Sequence, residues 1–136
     1  VYLCSAPAQA ALRDANDELL FADEEKTKPI AVNLYGPGSK EYARAQAAQS
    51  NRMIEKLKRK GKTEQTAEQR AAESAEFLSD CTESWENMEY DQLTGDALSQ
   101  AVYSDITIGF IADQVAKHLA LVEFYQALYD ELELFV

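Results

Sequence analysis

The sequence holds one histidine, His118, and two cysteines, Cys4 and Cys81, in 136 residues. So few imidazole and thiol groups leave little for metal binding or nucleophilic catalysis. The cysteines stand far apart and form no CxxC or Cys/His cluster, which argues against zinc. Nothing requires a disulfide between them and nothing forbids one. Cys81 reads as a buried thiol, the usual place of a free cysteine. No Gly-rich nucleophile elbow or oxyanion-hole motif accompanies His118, so it reads as structural or exposed. No apolar run reaches the ~20 residues that a spanning helix needs. The opening Val-Tyr-Leu-Cys has no basic stretch before it, so no intact signal peptide is seen. No catalytic, cofactor-binding or metal-binding residue is assigned, and the chain is expected not to be an enzyme.

Positive charge is also scarce, except in one place. The net charge is -11. Residues 1–39 carry three basic and six acidic side chains; residues 71–136 carry Lys117 against fourteen acidic ones. Between them, residues 40–70 carry nine basic and four acidic side chains. The chain is therefore bipolar. Its overall charge opposes whole-surface binding to nucleic acid or an anionic membrane, because both need a positive field.

What is present is a globular composition, 46% apolar and 27% charged, in a length that suits one domain with a real core. The fold class expected is mainly α (α+β), a small N-terminal β-hairpin on three to four helices. Residues 1–17 are Ala-rich and polar, either a short helix or a loose arm. Residues 18–136 are expected to form a single domain. Two apolar runs, 18–22 and 30–35, flank a charged, Pro-ended connection and suggest a hairpin over 18–35. Gly36-Pro37-Gly38 is a turn, and Ser39 is placed to cap a basic helix over 39–60. Its apolar stripe is thin: Tyr42, Ala45, Met53 and Leu57. Residues 58–66 read as a mobile loop. Thr66 with Gln69 is a capping box opening a helix over 66–85. Residues 86–92 are short and irregular, with room for a small strand. Helices over 95–104 and 106–135 follow, with Asp105 as the cap of the last. The expected core is Val32, Leu34, Leu78, Cys81, Trp85, Leu98, Val102, Ile111, Val115 and Leu119.

Three features have both a plain and a sharper reading. Gly36-Pro37-Gly38-Ser39-Lys40 lacks phosphate-loop spacing and has proline where an N–H donor is needed, so it is a turn and a cap. The carboxylates Glu83, Glu86, Glu89 and Asp91 surround Trp85 and Tyr90 without EF-hand spacing. They form either a solvated acidic face or a dock for a basic partner. The basic helix offers Arg52, Lys56 and Arg59 either to nucleic acid, though without interleaved aromatics, or to an acidic protein surface such as the acidic half of another copy. The last helix carries more apolar surface than one core stripe needs. It is either buried or an interaction surface, and Phe124, Tyr125, Leu128, Tyr129, Leu132 and Phe135 are the residues it would use.

The run GPGSKEYARAQAAQSNRMIEKLKRKGK, then AEFLSDCTESWENMEY, then AVYSDITIGFIADQVAKHL, resembles the tail assembly chaperones of long-tailed, non-contractile bacteriophages. The resemblance is carried by the turn at residues 36–38, the basic helix, Cys81-Thr82 with Trp85, and Tyr103 with Asp105 ahead of Gln114 and Val115. It covers about residues 20–119 as a pattern. Residues 1–17 and 120–136 lie outside it. The resemblance implies a protein that binds the tape measure protein and keeps it soluble during tail assembly. It also implies action in the host cytoplasm of an infected bacterium, absence from the mature virion, and a capacity for homo-oligomers. The alternatives are a structural virion component, such as a head–tail connector or tube-associated protein, and a nucleic-acid-associated regulator using the basic helix. With the first reading, neither nucleic acid nor membrane is a partner.

Overall fold

The computed structural model describes residues 8–60 and 66–134. Within them the chain is mainly helical, with four α-helices and one three-stranded antiparallel sheet. In chain order these are β1 (Ala8–Ala11), β2 (Ala31–Leu34), α1 (Lys40–Lys60), α2 (Ala67–Asp80), β3 (Thr82–Glu86), α3 (Gly95–Ser104) and α4 (Gly109–Leu134). A short 3-10 turn at Ile106–Ile108 leads into α4.

The sheet differs from the hairpin expected over 18–35. β2 lies at its centre, in the order β1-β2-β3. The partner of β2 on one side is β1, with Ala10 opposite Val32. Residues 8–11 of the stretch expected as a loose arm or short helix are therefore part of the sheet, and Leu12 just after them is fully buried. Residues 18–22 form isolated bridges, Arg13 with Leu19 and Phe21 with Pro29. The Ala22 and Ile30 N–H groups donate to the Lys28 and Leu20 carbonyls at 2.9 Å, so the two expected runs do meet, without forming a continuous ladder. Pro29 has no N–H to continue a ladder. The turn between Phe21 and Pro29 is held by Asp23 instead. Its carboxylate accepts from the Thr27 and Lys28 backbone N–H groups at 3.0 Å and from the Thr27 hydroxyl, and the Thr27 hydroxyl is the main reason its pKa lies below the ordinary value.

The helix expected over 66–85 stops at Asp80. Its start is as expected, a capping box in which Thr66 and Gln69 bond each other's backbone N–H groups. At its end the Thr82 hydroxyl turns back to donate to the Leu78 carbonyl at 2.7 Å, and the chain leaves to pair with β2. Trp85 lies opposite Val32 in that ladder. The four-residue spacing of Cys81 and Trp85 therefore spans a helix end and a strand rather than one helical turn. Residues 87–92, where a strand had room, are a turn with Asn87, Asp91 and Gln92 in the left-handed region at φ 60°, 49° and 58°.

Ser39 caps α1, its hydroxyl accepting from the Tyr42 N–H at 3.1 Å. It follows Gly38, whose φ of 95° suits glycine. Asp105 caps the 3-10 turn by accepting from the Thr107 N–H at 2.9 Å. Tyr90 donates to the same carboxylate at 2.7 Å, so the 87–92 turn is tied to the start of α4. Of the loop expected over 58–66, residues 58–60 belong to α1, and residues 61–65 lie outside those described.

The core joins the inward face of the sheet to α2, α3 and the first half of α4. Val32, Leu34, Leu78, Cys81, Leu98, Val102, Ile111, Val115 and Leu119 are buried as expected, together with Leu12, Tyr42, Ala45, Ala75 and Tyr103. Trp85 is half-buried against them. Each large side chain fully buried this way contributes roughly 1.5–3 kcal/mol of transfer free energy. Polar groups within this core pair with one another: the Thr82 and Tyr103 hydroxyls bond at 2.8 Å, and the Trp85 indole donates to Ser99 at 2.9 Å.

Candidate functional site

Neither nucleophilic candidate stands in a reactive setting. The Cys81 thiol is fully buried, and burial, with the neighbouring Asp80 carboxylate, pushes its pKa up to about 12. A thiol held that far above its free value carries almost no thiolate, the reactive form. His118 is half-buried on α4, where its Nε2 has no hydrogen-bond partner among the described residues. Burial lowers its pKa. Its neighbours on a shallow cavity are Ala10, Ala11, Leu12, Gln114, Lys117 and Leu121; no carboxylate, thiol or hydroxyl is among them. Among the described residues no three His, Cys, Asp or Glu side chains gather as metal ligands. No helix there is long and apolar enough to cross a membrane.

Gln114 has a structural task. Its side-chain oxygen accepts from the Arg13 N–H at 2.8 Å, and its amide donates to the Phe110 carbonyl at 3.1 Å and to the Arg13 carbonyl. It thereby pins the chain just beyond β1 to the first half of α4.

The expected basic site divides in two. Arg52 and Lys56 face α2. Arg52 Nε lies 2.9 Å from Glu76 and its Nη1 lies 3.9 Å from Asp80, while Lys56 pairs with Glu73. Their charge is thus largely answered within the α1–α2 pair. Burial pulls the Asp80 carboxyl above the usual range, against the lowering effect of Arg52. Arg59 is exposed and makes no ion pair among the described residues. Between Arg52 and Arg59 lie two residues of the expected stripe, Met53 and Leu57, with Ile54, which that stripe did not include. Tyr42 and Ala45 are buried, but Met53, Ile54 and Leu57 are 45–53% exposed. Arg52 and Lys56 face α2 through their ion pairs, and at about 100° per residue Met53, Ile54 and Leu57 stand on faces that α2 does not cover.

The apolar site expected on the last helix lies in the second half of α4. Leu121, Phe124, Leu128 and Leu132 are 40–62% exposed. Their spacings of three, four and four residues place them on one stripe. At about 100° per residue, that stripe faces away from the side carrying Ile111, Val115 and Leu119. Tyr125 and Tyr129 are on this helix, but their side chains, and Phe135 altogether, lie outside what the structure describes. The Tyr42 hydroxyl donates to Glu123 at 3.1 Å and fixes the start of α1 beside the middle of α4. Burial and that carboxylate raise the Tyr42 pKa to about 12. Tyr42, Phe77, Leu119 and Ala120 also line a cavity of about 290 Å³ between the α1–α2 pair and α4. The apolar stripe and the basic residues lie on different helices, and no ion pair joins them among the described residues.

A further concavity lies between β3 and the start of α3, with a volume of about 540 Å³. The acidic residues around Trp85 were its only signal in the sequence; the groove itself was not legible there. The chain matches no family model, no curated protein and no solved structure.

Proposed function

We propose that this protein is an assembly chaperone that acts by binding a client, and that the client is the tape measure protein of a long, non-contractile phage tail. The observation that carries the reading is the stripe of Leu121, Phe124, Leu128 and Leu132 on the second half of α4, with four large apolar side chains 40–62% exposed. Contiguous exposed apolar surface of this kind marks a protein-binding site. A net charge of -11 favours keeping a bound, aggregation-prone chain in solution. The resemblance of residues 20–119 to phage tail assembly chaperones names the client class.

Co-expression with the tape measure protein of the same tail gene cluster, followed by pull-down and sizing, tests the reading. The expected result is recovery of the tape measure protein in a soluble complex, lost with Leu128→Asp combined with Leu132→Asp. Both positions are exposed, so the variant should keep the wild-type circular dichroism and melting temperature. A tape measure protein that stays insoluble while this chain elutes alone would defeat the proposal. Detection of the chain in purified virions would favour a structural virion component instead.

A further inference from the structure

We infer that the groove between β3 and the start of α3 is a strand-addition site for an extended, cationic peptide segment. It uses neither α4 nor α1, so it stands apart from the client-binding reading above.

β3 is the outer strand of the sheet. It pairs with β2 along one edge, and its other edge carries no hydrogen bond to any described residue. An open edge of this kind is a template for another chain, and folded proteins normally cover, charge or shorten it. Here the edge opens into a groove. Residues 82–85, four in succession, all line it. The strand is bulged at Glu83, since Leu34 pairs with Thr82 and Asn33 with Ser84. Thr82 and Trp85 bond to α3 side chains while Ser84 bonds to Asn33, so lining residues from both faces mean that the groove runs along the strand's edge. The opposite wall is the start of α3, from Leu93 to Leu98. The floor offers the half-buried Trp85 with Met88 and Leu98, apolar surface for one alternate side chain of an incoming strand. Recognition by strand addition has this division of labour: main-chain bonds give affinity and pockets for alternate side chains give selectivity.

Charge selects the occupant. Asp23, Glu83, Glu89 and Asp96 line the groove against Lys28 alone. Glu83, Glu89 and Asp96 are exposed. A neutral or acidic strand would add repulsion or leave this field unanswered, whereas lysine or arginine at alternate positions would meet it. The segment that fits is therefore extended, with basic and aliphatic residues alternating.

Trp85 is the only tryptophan in the chain and lies in the groove, so its fluorescence reads occupancy directly. The probe is a synthetic heptapeptide of alternating lysine and valine, titrated into the full chain. A saturable change in Trp85 emission is expected. Alternating glutamate and valine should bind roughly tenfold more weakly or not at all, given the charge on the rim. N-methylation of one alternate set of peptide amides should abolish binding, while methylation of the other set should leave it nearly unchanged, because a strand offers only one edge to its partner. Glu83→Lys combined with Glu89→Lys, both exposed, should weaken the lysine peptide by roughly tenfold and keep the circular dichroism spectrum unaltered. Absence of binding, equal effects of the two methylation sets, or equal affinity for the acidic peptide would each overturn the inference.

Discussion

In the first half of α4, Ile111, Val115 and Leu119 are at most 3% exposed; in its second half Leu121, Phe124, Leu128 and Leu132 are 40–62% exposed. The residue types are alike and the helix is continuous. What differs is the surroundings. The first half lies against α2 and α3 and is pinned near β1 by Gln114. From Leu121 on, close to Glu123, which Tyr42 holds, α4 presents its apolar stripe to solvent on the side away from the core. The same contrast recurs on α1, where Tyr42 and Ala45 are buried and Met53, Ile54 and Leu57 are not. Hydrophobic residues at helical spacing thus serve two ends in one molecule. In one half they hold the fold, and in the other they stand in solvent.

The sharpest way to test that contrast is one substitution made in each half. Leu119→Ala removes a side chain that is 2% exposed and leaves a cavity between α4 and its neighbours. It should cost about 2–5 kcal/mol, the range for buried leucine truncations. Urea unfolding followed by circular dichroism measures it. A loss below about 1 kcal/mol would mean that this position is far less enclosed than its exposure implies.

The legibility of the chain in its sequence follows the same division. Nine of the ten expected core residues are buried because their periodicity records a face that something covers. Ser39 and Thr66 were readable as caps because capping depends on a few neighbouring atoms. β1 was not readable: an alanine-rich stretch has little strand preference of its own, and only its pairing with β2 makes it one. β3 was hidden because Cys81 and Trp85 happen to keep helical spacing across a helix end. On the surface, the apolar surplus of the last helix was visible as a surplus, and the structure exposes Leu121, Phe124, Leu128 and Leu132 of it. That Arg52 and Lys56 would be occupied by Glu76, Asp80 and Glu73 was not visible, because those partners come from a helix whose register against α1 is a tertiary fact.

A smaller effect, confined to the closed half, comes from His118. Burial lowers its pKa from the ordinary 6.5, so folding favours the neutral ring. The stabilisation is complete above the unfolded value and drains away as pH falls through the lower folded value. Stability should therefore decline between about pH 7 and about pH 5, and the decline should be shallower in His118→Gln, which has no proton to take up. Urea midpoints of the two proteins at both pH values give the comparison. Carboxylates titrate in both, so only the difference in slope belongs to His118. Identical slopes would mean that the ring titrates alike in the folded and unfolded chains.

The smallest stability effect is expected from the counterpart of Leu119→Ala in the open half. Leu132→Ala alters a side chain that is 62% exposed. Little apolar surface returns to water, and alanine is at least as good a helix former as leucine. The change in unfolding free energy should stay within about 0.5 kcal/mol, as for surface positions away from special features. If Leu132 is part of a client surface, the same substitution should nonetheless reduce recovery of the tape measure protein in co-expression. A stability cost approaching that of Leu119→Ala would instead show that the second half of α4 is covered in solution, by a second copy of the chain, and sedimentation at two concentrations would then reveal that copy. Stability and binding responses that part company at Leu132 but not at Leu119 are what separate a helix with a free face from one that is buried along its whole length.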